Sequence, residues 1–201
     1  MTSRRDITLD RRAVVARILR DRGDALLVTG LGSTTWDAAA AGDHANNFYL
    51  WGAMGGAAMV GLGLALAQPQ RRVLVITGDG EQLMGLGGIA TIAVQRPSNL
   101  SLVVIDNESY GETGMQDTHT KHGVDLAGIA VAAGFSHSAT VYNDGELEAV
   151  IPVIYQQTGP IFAAVKVTTT PVATVLPPHD GAYLKNRFRQ SLLGSKATEA
   201  Y

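Results

Sequence analysis

The chain contains no cysteine among its 201 residues. That excludes disulfides, thiolate nucleophiles and cysteine-ligated zinc. It also lacks a basic run. Sixteen Lys and Arg stand against 18 Asp and Glu, for a formal net charge of −2. A phosphate backbone needs a clustered basic surface, so no nucleic-acid partner is expected. Residues 1–12 are rich in charge and contain no apolar signal core. That favours a cytoplasmic protein. No internal repeat or low-complexity linker interrupts the chain. Residues 50–67 lack charge altogether, which brings them near the lower length limit of a membrane span. Glycine and alanine fill much of that segment, so its transfer energy is weak for its length. A helix buried between a sheet and a partner subunit is the expected structure, with no membrane span.

What is present alternates between two periods. Strands are expected at residues 25–29 (ALLVT), 73–77 (VLVIT), 100–106 (LSLVVID), 138–142 and 161–167 (IFAAVKV). Helical patterns cover residues 10–21, 54–67, 81–95, 126–133 and 144–157. Continuous apolar runs mark strands covered on both faces. The order predicts an α/β fold, a mostly parallel sheet with helices on both faces. Residues 168–178, rich in Thr and Pro, read as an extended connector. Residues 181–193 read as an amphipathic helix through Leu184, Phe188 and Leu192. One domain is expected over residues 1–193, with 194–201 as a disordered tail. In such sheets ligands bind beyond the carboxyl ends of the strands. The chemistry should therefore sit in the loops 30–35, 78–81 and 106–120.

The strand at 73–77 runs into Gly78-Asp79-Gly80-Glu81 and then a helix. Glycines beside an acid at this turn let a ligand approach the backbone, and a helix N-terminus favours an anion. An anion beside Asp79 needs a metal between them, and magnesium suits oxygen ligands and phosphates. By itself Asp79 reads equally as a helix cap. The next strand ends at Asn107-Glu108-Ser109-Tyr110-Gly111, one helix and one strand further on. Asn107 offers the same metal a neutral oxygen. A diphosphate of about −3, Mg²⁺ and Asp79 already sum to about −2, offset by helix ends worth about +0.5 each. A second carboxylate would worsen that balance.

Gly78-Asp79-Gly80 followed at this spacing by Asn107 resembles the cofactor motif of the thiamine-diphosphate-dependent decarboxylase family. The resemblance implies the thiamine-diphosphate-binding fold, with thiamine diphosphate and Mg²⁺ as cofactors. It implies Asp79, Asn107 and the backbone carbonyl of Ser109 as metal ligands. Backbone N–H groups near Gly80, Glu81, Tyr110 and Gly111 would hold the diphosphate. Gly52-Ala53-Met54-Gly55 resembles the segment that bends the cofactor into a V. There Met54 is the apolar wedge and Gly52 supplies a carbonyl for the pyrimidine amino group. The loop Gly30-Leu31-Gly32-Ser33-Thr34-Thr35 resembles the family's other diphosphate contact, with Gly32 and the hydroxyls of Ser33 or Thr34. A dinucleotide fingerprint would need a third glycine where Thr35 stands.

The stretch around Asn47-Phe48-Tyr49, and Tyr110 through Gln116, is similar to the beta subunit of sulfopyruvate decarboxylase and to phosphonopyruvate decarboxylases. Glu108, Ser109 and Glu112 stand where that group often has smaller or different polar residues. The resemblance implies half an enzyme. A pyrimidine-binding alpha subunit would supply the catalytic glutamate, in a hetero-oligomer such as two of each chain. It implies decarboxylation of a small 2-oxo acid with an anionic tail to an aldehyde and CO₂, the cofactor serving as electron sink. The alternatives are an acetolactate synthase-like carboligase subunit and a non-catalytic cofactor-binding or regulatory subunit. His119 and His122 could meet substrate or metal, but two histidines without a third ligand make no metal site.

Overall fold

The computed structural model describes residues 5–198. Its strands are β1 (Leu26–Thr29), β2 (Asn47–Tyr49), β3 (Val73–Gly78), β4 (Leu100–Asp106), β5 (Ser109–Tyr110), β6 (Gln116–Asp117), β7 (His137–Val141) and β8 (Ile161–Lys166). Six of them form one sheet in the order β2-β1-β3-β4-β8-β7. Every pairing in it is parallel. β5 and β6 form a small antiparallel ribbon beyond β4.

The helices are α1 (Arg11–Arg20), α2 (Ser33–Ala40), α3 (Ala57–Ala67), α4 (Asp79–Met84), α5 (Gly87–Gln95), α6 (Leu126–Ala133), α7 (Asp144–Gln156) and α8 (Gly181–Leu193). Period-two alternation sorts the sheet residues between two cores. Leu27, Leu74, Ile76, Val103 and Ile105 pack with α1 and α7 on one face. Leu26, Val28, Val75, Leu102 and Val104 pack with α3, α5 and α6 on the other. The expected α/β architecture with both faces covered is what the structure shows. Side-chain caps set the helix starts: Asp10 accepts from Ala13 N at 2.8 Å and Asp125 from Gly128 N at 2.9 Å. Each satisfies an N–H that the helix itself leaves open.

Several boundaries differ from the sequence pattern. The helix expected from residue 54 starts at Ala57, because Ala53 and Gly55 take positive φ of 56° and 91°. The helix expected over residues 81–95 is two helices. Gly85 separates them where its backbone meets that of Gly55, and a Cβ on Gly85 would lie 2.3 Å from the Gly55 carbonyl oxygen. α2 and β2 escaped the periodicity because each is short. Residues 50–67 hold α3 and no membrane span; among the described residues no helix is long and apolar enough to cross a membrane. A Cβ on Gly61 would lie 2.2 Å from Val75, so α3 presses directly on β3. Its other side leaves Met59, Val60 and Leu66 exposed. Of the tail expected to be disordered, Gly194–Thr198 forms a short 3-10 helix, and residues 199–201 lie outside the described residues.

Candidate functional site

β1, β3 and β4 are neighbours, so the three loops singled out in the sequence meet at one edge of the sheet. A cleft of ≈ 120 Å³ there is lined by Ser33, Met54, Gly78, Asp79, Gly80, Glu81, Asn107, Ser109, Tyr110 and Gly111. Glu112 and Thr113 close one side. Three of the expected residues stand outside it. Thr34 is buried, its hydroxyl 3.5 Å from the Leu31 carbonyl of its own turn. Gly32 is covered by Glu112, whose Oε1 would lie 2.8 Å from a Cβ placed there. Gly52 is exposed and has no neighbour on the side a Cβ would occupy.

Asp79 is the first residue of α4 and is 2% exposed. Its Oδ2 accepts the Thr118 hydroxyl at 2.5 Å, with the Thr120 hydroxyl at 3.2 Å. Burial, then the nearby charge of Asp106, push its pKa up to about 6, although the threonine hydroxyls oppose the shift. Glu81 lies two residues further along α4 and is also buried. Its Oε2 accepts from Leu31 N at 2.8 Å. Burial raises its pKa, opposed by the Thr77 hydroxyl and by the N–H groups of Leu31, Ala57 and Gly55. Glu81 thereby touches the β1 loop and the loop that carries Met54. Gly30 leaves room for it, since a Cβ there would lie 1.7 Å from Oε2 and would displace the carboxylate.

Beyond β4, Asn107 Oδ1 accepts from Ser109 N at 3.0 Å and closes a tight turn. Glu108 within it has a positive φ of 60°. The Tyr110 ring covers Gly80, where a Cβ would lie 2.5 Å from Cε1. Met54 is 36% exposed at the mouth of the cleft. His119 and His122 are exposed and line none of it. Among the described residues there is no cluster of three or more His, Cys, Asp or Glu able to hold a metal. A cation near Asp79 would therefore depend on amide and carbonyl oxygens as well.

A second cleft of ≈ 550 Å³ adjoins the first and is larger. Its acids Asp106 and Glu108 are paired with Lys166 at 2.8 and 3.1 Å. The smaller cleft holds Asp79, Glu81 and Glu112 and, among the described residues, is lined by no Lys, Arg or His. Unneutralised acid at strand ends marks the smaller cleft as the candidate site. Sequence reading missed Thr118, Thr120 and Lys166. A threonine pair two residues apart was the only signal, and it lay beside the more conspicuous histidines.

Residues 30–165 match the family model described as thiamine pyrophosphate enzyme, C-terminal TPP binding domain. The chain is 41% identical over 128 residues to sulfopyruvate decarboxylase subunit beta of Methanothermobacter thermautotrophicus, covering 64% of this chain and 68% of that one. It is 42% identical over 123 residues to phosphonopyruvate decarboxylase of Streptomyces viridochromogenes, covering 60% of this chain but only 30% of that longer protein. The fold superimposes with a TM-score of 0.70 on benzoylformate decarboxylase from Polynucleobacter necessarius, at 20% identity. That match covers 86% of this chain and 36% of the solved one, so the chain spans about a third of it. The chain belongs to the thiamine pyrophosphate enzyme family, and the part of that family it carries is the C-terminal TPP-binding domain.

Proposed function

We propose that the chain is the cofactor-binding beta subunit of a two-subunit, thiamine-diphosphate-dependent 2-oxo acid decarboxylase. The observation that carries this is the acidic cleft assembled from the ends of β1, β3 and β4, whose lining among the described residues contains no Lys, Arg or His. A diphosphate cannot enter it without a metal in between. Asp79, Asn107 and the carbonyl of Ser109 would hold Mg²⁺. They offer one charged and two neutral oxygens, a set that suits a hard cation which also keeps phosphate oxygens. Ser33 and the N–H groups around Gly80, Glu81, Tyr110 and Gly111 would orient the diphosphate. Met54, at the mouth, would support the bend of the cofactor. When bound, the cofactor supplies the sink for the electrons released with CO₂.

The cleft volume supports a partner. At ≈ 120 Å³ it is smaller than the roughly 300 Å³ at which small-molecule pockets begin. This chain would enclose one end of the cofactor, and a pyrimidine-binding alpha subunit the other. Met54, Met59, Val60, Leu66 and Met84 are exposed on and around α3 and α4. They form an apolar surface of the kind that marks a protein contact. The names of the relatives, sulfopyruvate decarboxylase subunit beta and phosphonopyruvate decarboxylase, support a small substrate with an anionic tail. The test is co-expression with the partner, followed by mass measurement and a screen of 2-oxo acids. Expected are a hetero-oligomer and aldehyde release from sulfo- or phosphonopyruvate. Condensation of pyruvate to acetolactate far exceeding any decarboxylation would show a carboligase, and full turnover by the single chain would remove the partner.

A further inference from the structure

The stretch from residue 116 to 122 follows the candidate metal turn, and its threonines tie that turn to Asp79. β6 pairs with β5 so that Ser109 faces Asp117. One residue later, Thr118 N donates to the Glu108 carbonyl at 3.0 Å. Glu108 lies between Asn107 and Ser109, so the backbone of Thr118 is tied to the turn that carries both. The side chain of Thr118 reaches the other way and donates to Asp79 Oδ2 at 2.5 Å. Thr118 is 0% exposed. A single residue thus bonds to both halves of the proposed metal site, which approach from separate strands.

Proton counting distinguishes the two threonines. The Thr120 hydroxyl lies 2.8 Å from Asp106 Oδ1, 2.9 Å from the Thr118 hydroxyl and 3.2 Å from Asp79 Oδ2. Two hydroxyl protons face two carboxyl groups, whose oxygens serve as acceptors. The shorter contacts give one proton to each acid: Thr120 serves Asp106 and Thr118 serves Asp79. Thr118 therefore carries the bond that orients Asp79. Neither hydroxyl bonds to Oδ1.

We propose that Thr118 is the positioning residue of the metal site, fixing the Asp79 carboxylate relative to the Asn107–Ser109 turn so that Oδ1 is presented to the cation. This rests on the cofactor reading above. Carboxylates that ligate metals are themselves held by hydrogen bonds, and losing such a partner costs about 10–100-fold in metal affinity. The chain assembled with its partner is titrated with Mg²⁺ at saturating thiamine diphosphate by calorimetry, and turnover is read at low and saturating Mg²⁺. Thr118→Val keeps the shape and loses the hydroxyl; Thr118→Ala takes its place should the valine variant not fold. Either should weaken Mg²⁺ binding by about 10–100-fold, with turnover largely restored at saturating Mg²⁺. Thr118→Ser should bind Mg²⁺ like the parent. Serine as weak as alanine, or valine equal to the parent, would overturn the proposal by leaving Thr118 a packing role or none. A parent complex that binds no thiamine diphosphate with Mg²⁺ present would instead remove the cofactor reading itself.

Discussion

In the larger cleft Asp106 and Glu108 face Lys166 at 2.8 and 3.1 Å, while in the smaller one Asp79, Glu81 and Glu112 share a lining that, among the described residues, contains no basic side chain. The two clefts adjoin at the same sheet edge, and Thr120 touches carboxylates of both. Their difference separates structural charge from functional charge. A buried acid with its own counter-ion is complete in the folded chain. A buried acid without one is costly and persists only where something else neutralises it. The two clefts should therefore respond in opposite directions when one charge is removed.

The largest effect is expected in the paired cleft. Lys166→Met deletes the ammonium that bonds both acids and removes the 2.8 Å ion pair of buried Asp106, while Glu108 keeps Lys121 at 4.0 Å. Removing one partner of a buried ion pair costs about 3–5 kcal/mol, or a fall of roughly 10 °C in melting temperature for a chain of this size. A thermal melt of the metal-free chain checks it. A change below about 3 °C would mean that the larger cleft is solvated and that the contrast between the clefts is not electrostatic.

The unpaired cleft should show the reverse. The Asp79 pKa is about 6 in the fold against an ordinary aspartate value of 3.8. Between those values the folded state binds the proton more strongly than the unfolded chain, so stability falls as pH rises through that window. The penalty then persists at neutral pH. Asp79→Asn should accordingly stabilise the metal-free protein by about 1–3 kcal/mol at pH 8. The gain should vanish near pH 4, where the parent acid is protonated in the fold. The same variant should lose Mg²⁺-dependent cofactor binding, and binding by the parent should weaken below pH 6 as protons compete for the carboxylate. Melts at pH 4 and pH 8, with and without Mg²⁺, test both halves. Destabilisation at pH 8 would show that Asp79 is a structural cap.

Much of the fold and of the smaller cleft was legible in the sequence, the larger cleft was not, and the limits of legibility are physical. Continuous apolar runs revealed β1, β3, β4 and β8, since strands covered on both faces tolerate little else. Asp79 and Asn107 stood out because each follows such a strand. β2 and α2 are too short for a period to register. The break at Gly85 depends on a backbone contact with Gly55, thirty residues away in sequence, which no local pattern encodes. Thr118 matters through bonds to Glu108 and Asp79, and a threonine in a loop gives no local sign of either. Lys166 lay inside the run 161–167 read as one apolar strand, and a lysine there gives no local sign of the acids it meets on β4 and the turn beyond it. The histidines at 119 and 122 lie exposed outside the cleft, while the threonines beside and between them bond to Asp79.

The smallest expected effect tests the rim of the unpaired cleft. Glu112 is exposed, and its carboxylate lies against Gly32 at the start of α2. It adds a third negative charge beside the proposed diphosphate position without the burial of Asp79 or Glu81. Water screens an exposed charge, so its interaction with an incoming anion is worth about 1 kcal/mol or less. Glu112→Gln removes that charge and keeps the shape. Thiamine diphosphate with Mg²⁺ should bind the assembled variant about two- to fivefold more tightly at low ionic strength, and the gain should fade as salt shortens the screening length to roughly 3 Å near 1 M. Melting temperature should stay within about 2 °C of the parent, as for other exposed substitutions. Calorimetry at two salt concentrations separates the possibilities. A salt-independent loss of affinity would show that Glu112 contacts the ligand directly and belongs to the binding machinery rather than to its rim.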